Sequence, residues 1–149
     1  MNTYFLDTNA LVKRYHQEDG TDMIDRLFSE SDAGFVISDI GIIEFYSAIA
    51  LKVRTGEIDE TNFISLRKLF AQDIKNKIYK IAEFTESEKK ESVNLLLKHG
   101  KSNSLKTLDA IQLSVMKSVK HKKIRVVCAD EKFCKVILLE GFEILNPMK

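Results

Sequence analysis

Two rhythms of apolar residues alternate along the chain. Short, nearly unbroken apolar runs at 4–6, 35–37, 78–84, 124–128 and 142–145 read as strands buried on both faces. Between them, apolar residues recur at helical spacing. Ala10 to His16 forms one such segment, opened by Thr8 and Asn9, and Met23, Ile24, Leu27 and Phe28 form the next after the break at Gly20-Thr21. Ser38 is placed to cap a third helix running to about Arg54, with Gly56 as its stop, and Asp59 to cap a fourth carrying Phe63, Leu66, Phe70 and Ile74. Thr85 and Glu88 make a capping box for a helix that contains Val93, Leu96 and Leu97 and closes at Gly100. A further helix is predicted from Ser104, with Leu105, Leu108, Ile111, Val115, Met116 and Val119 facing the core. Asp130 opens the last one, which Gly141 stops.

Short apolar strands separated by helices predict an α/β fold, a parallel sheet of five strands covered by helices on both faces. The length of 149 residues fits a single domain, 1–149, and no repeat, low-complexity run or Gly/Ser linker divides it.

Composition removes several classes. Hydrophobic content of 44% and charged content of 30% are those of an ordinary soluble domain, and a formal charge of +1 argues against nucleic-acid binding by bulk charge. No apolar stretch is long enough to span a bilayer, and no secretory signal is visible, so a cytoplasmic protein is the expectation. Cys128 and Cys134 lack zinc or redox spacing, and His16, His99 and His121 are scattered. Any chemistry then falls to carboxylates.

Four carboxylates stand at strand ends or helix starts: Asp7 after the first strand, Glu44 early in the third helix, Asp109 early in the helix after Ser104, and Asp130 after the fourth strand. Each has a plain alternative. Asp7 and Asp130 could be helix N-caps, Glu44 could lie on an exposed helix face, and Asp109 could pair with Lys106 for a few tenths of a kcal/mol. Ligand sites in parallel α/β sheets lie outside the carboxyl ends of the strands, where all four are expected to converge. Converging carboxylates repel, and a hard divalent cation relieves that repulsion. Oxygen-only donors point to Mg²⁺ or Mn²⁺, a hydrated ion suited to phosphate-ester hydrolysis.

The motifs LDTNAL at Leu6, SDIGIIE at Ser38, LKTLDAIQL at Leu105, VVCAD at Val126 and GFEILNP at Gly141 occur in an order and spacing that resembles the PIN-domain nuclease family over nearly the whole chain. The pattern looks most like the compact ribonuclease toxins of VapBC toxin–antitoxin pairs. That resemblance implies a Rossmann-like, three-layer α/β/α sandwich with Asp7, Glu44, Asp109 and Asp130 as catalytic residues holding Mg²⁺ or Mn²⁺, supported by the Thr8 hydroxyl. It also implies RNA cleavage leaving 5′-phosphate and 3′-hydroxyl ends, a small cognate antitoxin as partner, and a homodimer.

Relatives of this kind grip an antitoxin between the third and fourth helices, where Phe45, Tyr46, Ile49, Phe63, Leu66 and Phe70 are large; plain packing between the helices is the competing reading. Cys128 stands where many relatives carry Thr or Ser two residues before the last acid, which weakens the expected support of Asp130. Lys13, Arg14, Lys52, Arg54, Lys98, Lys101 and Lys106 are candidate phosphate contacts around the cleft. A phosphoacceptor receiver domain fits poorly: it needs paired acids after strand one and a Lys after strand five, where this chain has Asp7 alone and Asn146-Pro147. A housekeeping or DNA-directed nuclease, or a non-catalytic binding module of the same family, remain the alternatives.

Overall fold

The structure is a computed structural model that describes residues 2–119 and 123–149; His121 lies outside them. Twelve elements follow in order: β1 (Asn2–Leu6), α1 (Thr8–Tyr15), α2 (Thr21–Phe28), β2 (Ala33–Ser38), α3 (Asp39–Arg54), α4 (Glu60–Lys75), β3 (Tyr79–Ala82), α5 (Glu86–His99), α6 (Thr107–Ser118), β4 (Ile124–Val127), α7 (Glu131–Leu139) and β5 (Glu143–Leu145). The strands form one parallel sheet in the order β3-β2-β1-β4-β5. The chain winds outward from β1 to β3, then returns to lay β4 on the other side of β1. The expected five-stranded parallel sheet between two helical layers is therefore what forms.

Strand alternation divides the core in two. Tyr4 and Leu6, with Phe35, Ile37 and Val127, pack against α1 to α4. Phe5, with Val36 and Val126, packs against α5 to α7. Tyr4, Phe5 and Leu6 are all essentially buried, which fixes β1 as the central strand, each such side chain contributing about 2 kcal/mol.

Sequence signals set most element ends. Ser38 Oγ accepts from the Gly41 amide at 2.7 Å, Asp59 from Asn62 at 2.7 Å, and the Thr85–Glu88 capping box is formed. Several boundaries differ from expectation; the second strand, for one, spans Ala33–Ser38 rather than 35–37. The third strand is confined to 79–82, because the Phe84 amide turns to the Asp39 carboxylate (3.1 and 3.2 Å) instead of a strand neighbour. The last strand begins at Glu143 rather than Phe142. The sixth helix starts at Thr107, not Ser104: Ser104 takes a left-handed backbone (φ 57°), and the amides of Asn103 and Leu105 both return to the His99 carbonyl. That turn sets the start of α6, and with it Asp109, against the carboxyl edge of the sheet.

Candidate metal centre

β1 delivers Asp7 to the point where the sheet order reverses, and its amide donates to the Val127 carbonyl of β4 at 3.0 Å. Asp7 occupies the N-cap position of α1, yet its carboxylate makes no capping bond to that helix. The side chain, 6% exposed, instead accepts from the Cys128 thiol, whose Sγ lies 3.7 Å from Oδ2. Burial, reinforced by the charges of Asp109 and Glu44, pushes its pKa up to about 7.

Glu44 projects from the second turn of α3. Its Oε1 accepts from Gln112 Nε2 at 2.7 Å and from Thr8 Oγ1 at 3.3 Å, leaving Oε2 without a partner among the described residues. Burial raises the Glu44 pKa while these two donors pull it back. Gly41 makes room for the pairing: a Cβ there would stand 3.2 Å from both Gln112 Nε2 and Ser38 Oγ. Gln112 is the residue that sequence reasoning left off the site. It is 1% exposed, bridges α6 to Glu44 and Thr8, and its own Oε1 is buried with no hydrogen-bond partner among the described residues. Of the face expected in the core, Leu105, Val115 and Met116 are buried, but Leu108 is 50% exposed over the cleft, and Ala110 and Leu113 fill the core in its place. Period alone could not separate these faces, because one side of α6 meets a polar site rather than solvent.

Asp109 and Asp130 complete the wall. All four acids line one cavity of about 410 Å³. Burial, with the charges of Asp130 and Glu44 added, lifts Asp109 to about 6 against the opposing pull of Lys106. The Asp130 Oδ1 caps α7 through the amides of Lys132 and Phe133 (3.0 and 3.2 Å), so its capping role holds while Oδ2 stays unengaged among the described residues. The Cys128 thiol touches only the backbone oxygen of Asp130, at 3.6 Å. Its weak donation falls on Asp7, and helix amides support Asp130 in its place.

No ion pair within 4.0 Å involves any of the four acids among the described residues. Two of the four thus have pKa values near neutrality, as expected where charges of one sign meet in a dry wall. The set offers only hard oxygen donors and fits a divalent cation of the Mg²⁺ type. Among the described residues, the one trio whose ligating atoms all lie within 4.8 Å of one another is elsewhere, His16, Glu18 and Glu57. There the Lys52 ammonium already bridges Glu18 (3.2 Å) and Glu57 (2.8 Å). The four acids stand wider apart around their cavity, leaving space for the waters that Mg²⁺ retains.

The face between α3 and α4 is mostly core. Phe45, Ile49, Leu66 and Phe70 are buried, with Phe45 and Phe70 rings 3.9 Å apart, and Tyr46 is the exposed member. Beside it a cavity of about 310 Å³ opens between Tyr15, Leu66 and Leu69. No helix among the described residues is long and apolar enough to cross a membrane.

A family model for the PIN domain matches residues 4–138. No curated protein matches the sequence. Solved structures share the fold at low identity. VapC20 of Mycobacterium tuberculosis, described as a sarcin-ricin loop cleaving toxin, superposes with a TM-score of 0.70 at 16% identity, covering 97% of this chain and 99% of the other. FitAcB of Neisseria gonorrhoeae gives 0.69 at 17%, covering 97% of each chain. VapBC2 of Rickettsia felis, bound to a DNA fragment from its promoter, gives 0.65 at 16%, covering 97% and 98%.

Proposed function

The chain belongs to the PIN domain family, and from that premise we propose that it is a metal-dependent endoribonuclease, the toxin of a toxin–antitoxin pair. The observation that carries this reading is the convergence of Asp7, Glu44, Asp109 and Asp130, from four separate elements, on one cavity wall without a paired base. Support for the toxin assignment comes from the fold, which is shared with VapC- and FitB-type proteins across nearly the full length.

Each acid contributes a distinct function. Asp7, its pKa pushed up to about 7 by burial and the neighbouring acids, would hold the ion as a carboxylate, giving up its proton on binding. Glu44 is oriented by Gln112 and Thr8, which hold Oε1 and leave the second oxygen without a partner among the described residues. Asp130 is fixed by the first turn of α7, and Asp109 by the first turn of α6. A bound Mg²⁺ or Mn²⁺ supplies Lewis-acid polarisation of the phosphoryl oxygen and a more acidic water. The protein's part is to hold the ion and to place the RNA phosphate beside it, yielding 5′-phosphate and 3′-hydroxyl ends. The whole of 1–149 acts as one cytoplasmic unit, homodimeric and neutralised by a small antitoxin.

The test is cleavage of labelled RNA by purified protein with Mn²⁺. Loss of cleavage in EDTA and in Asp7→Asn or Asp109→Asn, with folding retained, is expected. Undiminished cleavage in either case, or none by the wild type, would reject the reading. Growth arrest on induction, relieved by those variants, checks the toxin assignment separately.

A further inference from the structure

The acidic cavity has a basic end. Arg54 lines it together with the four carboxylates, is exposed, and pairs with none of the described residues. On the far side, Asp109 and Asp130 also line a second cavity, of about 90 Å³, whose rim carries Lys106 and Lys132. Lys132 likewise has no side-chain partner among the described residues, and Lys106 acts only on Asp109 through space. The two cavities share the Asp109 and Asp130 wall, so acids stand in the middle with free bases at both ends.

This placement separates Arg54 and Lys106 from the other bases that the sequence offered as phosphate contacts. Lys13, Arg14, Lys52 and Lys98 are held in ion pairs by Glu18, Asp25, Glu57 and Glu140. Lys101 is exposed and lines neither cavity. A planar guanidinium left free at this cavity is placed to hydrogen-bond both non-bridging oxygens of a phosphodiester.

α3 provides the floor between the two charges. Glu44, Ser47, Ala48, Leu51 and Arg54 share one helical face in the cavity, and ten residues separate the two ends, about 15 Å along the axis. Ser47 and Ala48 are small enough to let a chain lie against the helix. Ile43 (66% exposed), Leu51 and Leu108 stand along the rim and offer apolar surface to unstacked bases.

Resting on the ribonuclease reading above, we propose that this groove is the path of a single-stranded RNA. Arg54 is the positioning residue for a phosphate on one side of the scissile bond, and Lys106 and Lys132 hold the strand on the other. Arg54 acts on binding, not on the reacting atoms.

Fluorescence anisotropy of a labelled single-stranded RNA, read over a salt series on the Asp7→Asn background in Mg²⁺, tests this. Arg54→Ala should lower the salt slope by about 0.7 and the affinity about 5-fold at 0.1 M salt, whereas Arg54→Lys should largely retain both. Lys106→Ala/Lys132→Ala should lower the slope further, and Lys101→Ala should leave it unchanged. In the active protein, Arg54→Ala should raise KM with kcat within about twofold, as expected for uniform binding. A neutral methylphosphonate walked along the strand should cost the parent affinity at one non-scissile position and cost Arg54→Ala nothing there. If the wild type cleaves RNA but Arg54→Ala matches Lys101→Ala in slope and KM, the groove assignment is wrong and the ribonuclease reading stands. If the parent neither binds nor cleaves RNA, both fall.

Discussion

Gln112 donates Nε2 to Glu44 Oε1 at 2.7 Å, across 68 residues of sequence, and this bond holds α6 to α3 beneath the acidic cavity. The same amide leaves its oxygen buried and unpartnered among the described residues, an arrangement that costs stability. Gln112→Leu should therefore weaken Mn²⁺ binding about 10-fold or more while the melting temperature stays close to wild type. An Mn²⁺ titration beside a thermal melt checks both halves. A large fall in melting temperature with metal affinity intact would make Gln112 a structural residue only.

Asp7 should destabilise the metal-free protein, and the sign follows from its raised pKa. The unfolded carboxyl releases its proton near 3.8 and the folded one near 7, so stability is fully present below 3.8 and declines as pH rises to about 7. Above that the cost levels off at roughly 4 kcal/mol. Asp7→Asn, in EDTA at pH 8, should unfold at higher urea than wild type, with the gap closing toward pH 4. A variant less stable than wild type at pH 8 would contradict the burial argument.

Metal binding should strengthen with pH over the window in which Asp7 (about 7) and Asp109 (about 6) lose protons. Each displaced proton makes the apparent affinity rise about tenfold per pH unit below these values. Mn²⁺ titration followed by electron paramagnetic resonance between pH 5.5 and 8 should show that rise and its plateau. A flat profile would mean that neither carboxyl has to be emptied.

Far from the site, Glu140 ties three helices together. Its carboxylate, 4% exposed, accepts from His99 (2.7 Å), Lys98 (2.8 Å) and Lys117 (3.1 Å). Burial opposes ionisation there, but these donors outweigh it and bring the pKa down to about 2. The stability it contributes is present above about 4.5 and is lost as pH falls toward 2. Glu140→Gln should cost about 2 kcal/mol at pH 7 in urea unfolding and little at pH 2.5, without changing RNA cleavage.

The sheet and its order of helices were legible because apolar runs such as Tyr4-Phe5-Leu6 and Ile124 to Val127 have no other way to be buried. Caps at Ser38, Asp59 and Thr85 were legible for the same local reason: a side-chain oxygen sits beside orphan amides. The gathering of Asp7, Glu44, Asp109 and Asp130 on one wall followed from parallel topology, which sends strand ends to one edge. What pattern could not reveal depended on neighbours remote in sequence. Gln112 reads as an ordinary polar helix residue until Glu44 is set against it. The Cys128 thiol reads as a partner of Asp130 until the register of β1 on β4 places it beside Asp7. Of the basic residues near the site, only the ion pairs of the folded chain show which are free.

The centre draws on Asp7 and Asp130, 123 residues apart in sequence, with β4 paired to β1 between them. During synthesis, Asp7, Glu44 and Asp109 leave the ribosome before Asp130, and β1 lacks its second neighbour until residues 124–127 emerge. An incomplete chain thus carries three of the four acids without the strand that aligns them. For the ribonuclease proposed above, this order of assembly leaves the acid set incomplete until β4 and Asp130 have both emerged.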